Sequence, residues 1–436
     1  MKPATTWKRF GIFTLLGLLL SWTVSCTNFT SSSPDDGRQP IEFWTMQLQP
    51  QFNDYFNQII ANFEAENPDL KVRWVDVPWS AMESKILASV SANTAPDVVN
   101  LNPDFASLLA ERNAWLELEE RVSDEVRSQY LPNIWAANQI EICQAETCKM
   151  TTFGLPWYLT TDITIYNQDL FKQAGISQPP TTYEQLASVA QQIRDETGKY
   201  AFFVSFVPED SATVLQSLVQ MGVKLVDKNG KAAFNTPEGI AAFTYWVNLY
   251  QNDLISREVL TQGHRRAIEL YQAGEIAILT SGPQFFQAIA INAPDIAKVS
   301  MPSPQMTGKT KQKAVAVMNV VIPRNSDRPD DALKFALFLT NNINQIAFAK
   351  AANVLPSTVE ALNNPYFQTA SDSQIQADEA RVISAQQLKQ ADILIPPMED
   401  LKQLQKIIYQ NLQAAMLNQK TVETAIIDAE TAWNKR

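Results

Sequence analysis

The fold class that the sequence predicts is α/β, with two lobes separated by a cleft. Segments with the apolar patterns of strands and helices alternate from residue 41 onward, which is typical of a parallel sheet. The alternation occurs in two stretches, one on each side of a loop that carries two cysteines. About 395 residues follow the N-terminal leader, enough for two sizeable cores. Since clefts between domains are frequent sites for small ligands, this organisation favours a binding function.

The first stretch is predicted to contain three strands and two helices. Residues 41–44 form a short apolar strand, and residues 70–77, rich in β-branched and aromatic side chains, form the second. The helix between them ends before Pro68 and has apolar residues at helical spacing. These residues are Phe52, Phe56, Ile59, Ile60 and Phe63. A second helix is expected over about 80–92, followed by a short buried strand at 97–101.

The second stretch repeats this pattern after the cysteine loop. Residues 160–166 are a predicted strand, and a Thr-x-x-Glu capping box starts a helix over about 181–197. Residues 200–206 are expected to return as a strand. Asp227-Lys-Asn-Gly230 is typical of a hairpin turn, because its Asn-Gly pair tolerates positive φ.

The rest of the chain continues with strands and then becomes helical. Thr236, Pro237 and Glu238 supply an N-cap, a proline at the first helical position and an acid in the first turn, which predicts a helix to about residue 251. Further predicted elements are strands at 274–280 and 313–322, a helix at 329–340, and mainly helix from about 374.

The N-terminus has the anatomy of an export signal. Three basic residues precede an apolar run at 10–20, which is too short for an ordinary membrane-spanning helix, and small residues lead into Cys26. A cysteine in this position resembles the lipobox of bacterial lipoproteins, in which the thiol is diacylated and becomes the mature N-terminus. We therefore predict a signal peptide over 1–25 and a lipid on Cys26. An ordinary cleaved signal with an incidental cysteine is the alternative.

Composition limits the partners of the remaining chain. Residues 26–40 are almost entirely polar, so they are expected to be a flexible linker between lipid and globule. The formal net charge is −11 and becomes −14 without the leader, which carries three basic residues and no acidic ones. This balance argues against nucleic acid and against an anionic ligand held by a positive field. Only the N-terminus is expected to contact a membrane.

Two cysteines in the loop between the stretches are expected to form a disulfide. Cys143 and Cys148 are separated by four residues, and an oxidising compartment favours their pairing. So small a ring would stabilise a hairpin rather than the whole fold. The spacing is not Cys-x-x-Cys and His264 is the only histidine, so no metal site and no cofactor are predicted.

Several blocks of sequence, in order along residues 41–436, carry a family resemblance. They are Ala95-Pro-Asp-Val-Val99, Phe153-Gly-Leu-Pro-Trp157, Ile165 to Gly175, Pro179 to Leu186, Phe234-Asn-Thr-Pro-Glu-Gly239, Ala273 to Pro283, Ile322-Pro-Arg-Asn-Ser326 and Ala332 to Leu339. Together they resemble the bacterial extracellular solute-binding proteins of sugar ABC importers, the group that includes maltose-binding protein.

The resemblance implies a periplasmic-binding-protein-like fold with two hinged lobes. Because the chain crosses between lobes more than once, each lobe is discontinuous. The implied N-lobe comprises 41–151 and 314–345, and the implied C-lobe comprises 152–313 and 346–436. The implied function is that of a non-enzymatic receptor, expected to be a monomer outside the cytoplasm, which captures a carbohydrate in the cleft and delivers it to a membrane permease.

Candidate ligand residues follow from the chemistry of a sugar ring. A pyranose offers an apolar face to aromatic rings and hydroxyls to amides and carboxylates, and each unpaired buried polar group costs about 1–3 kcal/mol. The candidates are Trp44, Gln47, Gln49, Asp104, Trp157, Tyr158, Asp162, Phe206, Glu209, Gln284, Phe285 and Asn319. Gln284 stands where many relatives carry a tryptophan. For the aromatic candidates the alternative is a place in the core, and for the polar ones a helix cap or a solvated loop.

Two other functions remain open at this point. A carbohydrate-active hydrolase needs two carboxylates roughly 5 to 10 Å apart, and Asp104, Asp162 and Glu209 are the residues that offer such a pair. The same fold with several acids around an aromatic cage is suited to a polyamine, with a peptide or another osmolyte as further possibilities.

Overall fold

A computed structural model describes residues 39–144, 147–208, 210–370, 375–395, 398 and 400–436. The side chains of 103, 104, 111, 142–148 and 375 are not part of that description. The predicted leader, Cys26 and nearly all of the predicted linker therefore lie outside the described residues, as does Glu209.

The strands form one large mixed sheet and two small antiparallel ones. In chain order they are β1 Ile41–Met46, β2 Val72–Val77, β3 Val98–Leu101, β4 Gln139–Gln144, β5 Thr147–Thr152, β6 Leu155–Thr161, β7 Ile163–Asn167, β8 Ile278–Ser281, β9 Ser300–Ser303, β10 Lys313–Val321, β11 Leu355–Pro356 and β12 Ala391–Asp392.

The large sheet has the order β11-β6-β10-β3-β1-β2, and β12 pairs with the start of β10. Strands β1, β2 and β3 are parallel, with Phe43 opposite both Trp74 and Val98. Strand β10 is antiparallel to β3 and to β6, with an irregularity between Met318 and Asn319. The predicted parallel strands are thus present, extended by antiparallel neighbours. Strands β8, β7 and β9 form a separate antiparallel sheet, and β4 and β5 form a hairpin.

Helices cover both faces of these sheets. In chain order they are α1 Asn53–Glu66, α2 Trp79–Ser91, α3 Pro103–Glu111, α4 Asp124–Arg127, α5 Pro132–Ala136, α6 Gln168–Gln173, α7 Tyr183–Thr197, α8 Thr213–Gln220, α9 Pro237–Gln251, α10 His264–Gln272, α11 Phe285–Asn292, α12 Pro294–Val299, α13 Pro329–Leu339, α14 Asn342–Ala352, α15 Val359–Leu362, α16 Pro365–Gln368, α17 Ile375–Gln387, α18 Leu401–Met416 and α19 Val422–Asn434. Short 3-10 turns lie at Arg257–Leu260 and Leu388–Gln390.

Local signals in the sequence set several helix ends. The Thr182 hydroxyl accepts a hydrogen bond from the backbone N–H of Gln185 at the start of α7. Thr236 caps α9 in the same way, with Pro237 at the first position. Helix α7 ends at Gly198, whose φ of 69° lies in the left-handed region that glycine adopts without strain. The predicted spans of both helices are confirmed, but the capping box of α7 is shifted by one residue, because Thr182 and Gln185 occupy the positions predicted for Thr181 and Glu184.

Two hydrophobic cores define two lobes. The first lobe packs the large sheet against helices through side chains such as Phe43, Phe56 and Phe335, all fully buried. The second lobe packs β7 to β9 against α7, α9, α18 and α19, with Trp246 and Tyr409 among its buried rings. Burying one large apolar side chain contributes about 1.5–3 kcal/mol, so each core can stabilise its own lobe.

The chain passes between the lobes at three places: between β6 and β7, between β9 and β10, and around α17. Side chains of 153–159 and 348–367 pack in the first core, whereas the boundaries implied by the resemblance give these segments to the C-lobe. The difference arises because β6 and β11 pair within the large sheet, so their side chains join the core of that sheet.

Two predicted strands differ from the structure. The strand predicted over 160–166 is divided, because β6 ends at Thr161 and β7 begins at Ile163, leaving Asp162 between two sheets. Residues 200–206 form no strand: Tyr200 makes an isolated bridge to Ile276, and residues 201–206 are buried. Their apolar run reflects burial in the second core and not a sheet ladder.

Candidate functional site

A cavity lies in the second lobe at the junction between β6 and β7. Its lining includes Asp162, Tyr183, Phe202, Phe203, Ser205, Ser211, Gln216, Gln220, Trp246, His264, Thr280 and Gln305. Its volume is about 50 Å³, which leaves room for a few water molecules or for a polar group of a ligand.

Asp162 supplies the only carboxylate among the described residues that line this cavity. Burial raises the pKa of its side chain, and the electrostatic effect of the nearby His264 side chain opposes that shift. None of the described residues donates a hydrogen bond to this carboxylate or forms an ion pair with it. Asp162 is half-buried and lines the cavity, so its carboxylate is placed to receive donors from a ligand or from water.

Other polar groups of the cavity are partly occupied within the protein. Tyr183 donates from its hydroxyl to Gln220 Oε1 at 2.6 Å, and Trp246 donates from Nε1 to Ser217 Oγ at 3.0 Å. These bonds fix the rings of Tyr183 and Trp246 in the wall. The cavity therefore combines fixed aromatic surface with one unpaired carboxylate.

A buried glutamine joins the three passages between the lobes. Gln387 Nε2 donates to Thr161 Oγ1 at 3.4 Å and to the carbonyl of Asp162 at 3.2 Å. Its Oε1 accepts from the backbone N–H of Gln305 at 2.6 Å and from Lys313 Nζ at 3.2 Å. Burial lowers the pKa of Lys313. Gln387 thus holds the backbone of two cavity residues, Asp162 and Gln305, at the hinge.

The first lobe presents a polar loop at the carboxyl end of β1. Asp76 fixes this loop: its Oδ1 accepts from Thr45 Oγ1 at 2.6 Å and from the backbone N–H of Leu48 at 2.8 Å. Its Oδ2 accepts from the backbone N–H of Gln49 at 3.1 Å. Gln47 and Gln49 are exposed. In open α/β sheets, ligands bind beyond the carboxyl ends of the strands, which is where this loop lies.

Trp79 lies beside this loop and is the residue that sequence reasoning missed. It begins α2 directly after β2, its backbone N–H donates to Gln47 Oε1 at 3.4 Å, and its side chain is 44% exposed. A Pro-Trp pair immediately after a predicted strand end was the signal available in the sequence. An exposed tryptophan at this edge offers a flat apolar face.

Four of the predicted aromatic contacts are buried instead. Trp157 is fully buried and stacks on Phe348, with ring centroids 4.7 Å apart. Phe206 is fully buried in the second core. Tyr158 is nearly buried in the first core, which raises the pKa of its hydroxyl. Rings covered by protein offer no face to a ligand, so the predicted stacking role of these residues is not supported.

Trp44 is the fourth of these rings. It is 5% exposed, its Nε1 donates to Glu42 Oε1 at 2.6 Å, and Lys85 Nζ lies 4.0 Å from the ring centroid. Its ring is occupied by a cation of the protein itself. The sequence pattern predicts an aromatic residue near the strand end, but it does not determine toward which side the ring points.

The remaining candidates are divided between the lobes. Phe285 is half-buried, with its ring centroid 6.4 Å from that of His264, a cavity residue. Gln284 Oε1 is buried, with no hydrogen-bond partner among the described residues, and its side chain fills the space beside Gly282. Asn319 is buried on β10, and no described residue donates to its Oδ1. Asp104 lies in α3, but its side chain is outside the described residues.

The two cores, the cleft-facing strand ends and the cavity define a class, the two-lobe α/β binding proteins. Residues 49–346, more than half of the chain, match the family of bacterial extracellular solute-binding proteins. The chain belongs to this family, which confirms the resemblance found in the sequence.

Solved structures and relatives agree with this assignment. A protein of Synechococcus sp. MITs9220, provisionally described as an oligosaccharide periplasmic-binding protein, is 43% identical, with a TM-score of 0.83 over 91% of this chain and 98% of that one. The cyclic α-maltosyl-1,6-maltose binding protein of Arthrobacter globiformis is 21% identical, with a TM-score of 0.76 over 91% and 99%. The galactooligosaccharide-binding protein of Bacillus subtilis is 20% identical over 86% of each chain.

Two further features concern contact with a membrane and with a metal ion. Within the described ranges, no helix is long and apolar enough to cross a membrane. A second solved structure from Synechococcus sp. MITs9220, with the same protein description, is a complex with zinc. The described residues of this chain contain no group of three histidine, cysteine, aspartate or glutamate side chains placed to hold a metal ion.

Proposed function

We propose that this protein captures a neutral carbohydrate between its lobes and delivers it to the membrane subunits of an ABC importer. Family membership supports a receptor for a solute, and the relatives described above as oligosaccharide-binding support a sugar. The observation that carries the proposal is Asp162: an unpaired carboxylate in a cavity with fixed aromatic walls. Sugar hydroxyls supply the donors that this carboxylate lacks, and charge-assisted hydrogen bonds are the stronger class.

A neutral ligand fits the cavity better than a cationic one. A polyamine would be held by several carboxylates around an aromatic cage, whereas Asp162 is alone among the described lining residues. The same observation argues against hydrolysis, which uses two carboxylates in contrasting environments. The receptor therefore binds its ligand without altering it.

Attachment to a membrane belongs to the same proposal. A lipid on Cys26 and the polar linker over 26–40 would hold a monomeric receptor outside the cytoplasm, close to its permease. Strands β4 and β5 pair Cys143 directly with Cys148. Opposite residues in an antiparallel pair lie about 4.5–5.5 Å apart at Cα, within the range that a disulfide spans. We propose that a disulfide closes this hairpin.

A thermal-shift screen tests the proposed ligand class. The purified protein would be heated with glucose, galactose, arabinose, maltose, maltotriose, raffinose and, as a cationic comparison, spermidine. A ligand that binds only the folded state raises the melting temperature. We expect an upward shift with at least one saccharide and none with spermidine. A shift with spermidine alone, or none with any saccharide, contradicts a carbohydrate receptor.

A further inference from the structure

A groove lies on the outer side of the first lobe, between α1 and β2. Strand β2 is at one end of the large sheet, so among the described strands only β1 pairs with it. The groove has a volume of about 490 Å³, within the range of about 300–1,000 Å³ that is usual for ligand pockets. We call it the outer groove; its lining includes Gln49, Asn53, Asn57, Ala61, Glu64 and Trp74.

The backbone of β2 presents hydrogen-bonding groups to the outer groove. The carbonyls of Lys71 and Val77 accept N–H groups from β1 and from the residue after it, at 2.7 and 2.9 Å. Because the direction of the backbone groups alternates along a strand, Trp74 turns its N–H and C=O away from β1. Val72 supports this direction, since its N–H donates to Glu64 Oε1 at 3.0 Å on the groove side.

Three amide side chains of the outer groove have no hydrogen bond to any described residue. They belong to Gln49, Asn53 and Asn57, and the Oδ1 atom of Asn53 is also buried. Gln58 and Asn62, four residues apart on α1 like Asn53 and Asn57, do not line the groove and bond to each other at 2.8 Å. The groove amides therefore remain free to offer both donors and acceptors to a ligand.

A fixed aromatic ring forms part of the wall. The Trp74 ring packs on Phe56 with centroids 4.4 Å apart, and its Nε1 donates to Thr45 Oγ1 at 2.7 Å. These contacts fix the indole, which is half-buried and borders the groove with its remaining surface. An aromatic surface beside free amides suits a sugar ring, which has apolar C–H groups and hydroxyls.

The outer groove presents no unpaired charge among its described residues. Glu64 is the ionisable side chain of its lining. The Glu64 carboxylate already accepts from Lys71 Nζ at 2.8 Å and from the Val72 N–H at 3.0 Å. A charged ligand would find no free opposite charge here, so the groove favours a neutral one.

The shape of the groove favours a chain of sugar rings. Its lining on α1 extends from Asn53 to Glu64, which is about 16 Å at about 1.5 Å per residue. An added polypeptide strand would need successive edge groups of β2. This strand has only six residues, and Glu64 already occupies the N–H of Val72. A linear glycan therefore fits the groove better than a peptide strand.

We propose that the outer groove is a second carbohydrate site, which binds a segment of a neutral linear polysaccharide. The free amides bind ring hydroxyls, and Trp74 contacts a ring face. The groove and the second-lobe cavity share none of their described lining residues. In the large sheet β2 is the strand farthest from β6, after which the chain passes to the second lobe. The groove therefore binds independently of the solute that the cleft captures.

Native electrophoresis through gels that contain a soluble polysaccharide tests this site. The neutral probes are dextran, soluble starch and mixed-linkage β-glucan, and polygalacturonate is the charged comparison. Ala61→Arg fills the groove from an exposed position on α1, and Asn57→Ala removes one exposed amide. The matched controls are Ala88→Arg, at an exposed position on α2, and Gln58→Ala. Melting curves verify that each variant is folded.

At least one neutral polysaccharide should retard the wild type, and polygalacturonate should not. Asp162→Ala should be retarded as strongly as the wild type, because Asp162 lies in the other site. Ala61→Arg should abolish the retardation. Asn57→Ala should weaken the affinity about threefold to tenfold, as expected for the loss of one or two hydrogen bonds. Both control variants should match the wild type.

Four results would overturn the outer site. They are a wild type that no neutral polysaccharide retards, retardation that Ala61→Arg leaves unchanged, and retardation that Asp162→Ala abolishes, which would place the polymer in the cleft. The fourth is calorimetric binding of a neutral peptide of alternating threonine and valine that Ala61→Arg abolishes, without polysaccharide binding. None of these results depends on whether short saccharides bind in the cleft, which the thermal-shift screen measures separately.

Discussion

The second-lobe cavity and the first-lobe edge meet a ligand in different ways. The cavity is recessed, its rings are fixed by internal hydrogen bonds, and none of the described residues donates to its carboxylate. The edge is open, with Gln47 and Trp79 exposed on a loop that Asp76 fixes. The difference indicates that the cavity is suited to hydrogen bonding with a polar group of a ligand, whereas the edge offers exposed apolar and amide surface.

The largest effect is expected from removing the cavity carboxylate. Asp162→Ala should weaken binding of the best saccharide about 100-fold, since each hydrogen bond to a charged group contributes about 1.5–3 kcal/mol. Titration calorimetry measures the loss, with Asp169→Asn, an exposed carboxylate on α6, as control. The unliganded variant should be no less stable than the wild type, because no described residue donates a hydrogen bond to this carboxylate. Wild-type affinity in Asp162→Ala would refute the role of the cavity.

Lowering the pH should weaken ligand binding, as the Asp162→Ala substitution does. Burial raises the pKa of Asp162, with Tyr183 and His264 as the titratable groups that face it. Donors from a ligand favour the ionised carboxylate, so affinity should fall as the pH drops through this raised pKa. Asp162→Asn, which cannot ionise, should show a flatter pH profile in the same titrations. Equal pH profiles in the two proteins would contradict this assignment.

The pH dependence of stability in the unliganded protein has the opposite sign from the pH dependence of affinity. Because the folded-state pKa of Asp162 is raised, its contribution to stability is present below the unfolded pKa and is lost as the pH rises through the folded one. Denaturation of the wild type and of Asp162→Asn without ligand, across mildly acidic to neutral pH, should therefore diverge toward neutral pH. The asparagine variant should be the more stable protein there.

A smaller effect on affinity, with a clear effect on stability, is expected at the hinge. Gln387→Leu removes four hydrogen bonds at the passages between the lobes. It leaves buried groups unpaired, so it should lower the free energy of unfolding by about 2–4 kcal/mol. Ligand affinity should fall about tenfold, because the backbone groups of Asp162 and Gln305 both lose their hydrogen bond to Gln387.

Denaturant unfolding and calorimetry measure both quantities. Gln387→Glu is the informative second variant: its carboxylate retains the acceptor for the Gln305 N–H and Lys313 but loses the donor to Asp162. Gln390→Ala, an exposed residue of the adjacent 3-10 turn, is the control. If Gln387→Leu unfolds at the wild-type midpoint and binds normally, the glutamine does not position the cavity.

The smallest effect is expected where the lobes meet. Glu83 and Lys402 form an exposed ion pair, with 37% and 74% of their side chains accessible. Such pairs contribute about 0.2–1 kcal/mol, so Lys402→Ala should weaken oligosaccharide binding about two- to fivefold at low salt and less at high salt. The double exchange of Glu83→Lys with Lys402→Glu should restore affinity. A loss that is independent of salt would argue against an electrostatic contact between lobes.

Local patterns in the sequence predicted most of the first stretch and the capped helices. The spacing of Phe56 and Phe63 and the cap at Thr236 depend on neighbours a few residues away, and the structure confirms them. The division at Asp162 was not predicted, because it depends on β6 and β7 joining different sheets. Pairing with β10, about 150 residues away in sequence, decides that division.

The candidate site was predicted less well because direction and burial are tertiary properties. Trp157 has the same local signals as a ligand-facing ring, but the pairing of β6 with β10 places it among Phe43, Phe56 and Phe348. Trp79 lies directly before the helix predicted over about 80–92, and its exposure depends on what α2 leaves uncovered. Gln387 carries no local signal, since its partners lie 74 to 226 residues away.

The most direct test is to titrate wild-type protein and Asp162→Asn with the saccharide that gives the largest thermal shift, and to recover that saccharide for chromatography. The account predicts saturable binding of one molecule by the wild type, strongly weakened in the variant, and a ligand recovered unchanged. Binding that is indifferent to Asp162, or recovery of cleaved products, would contradict it.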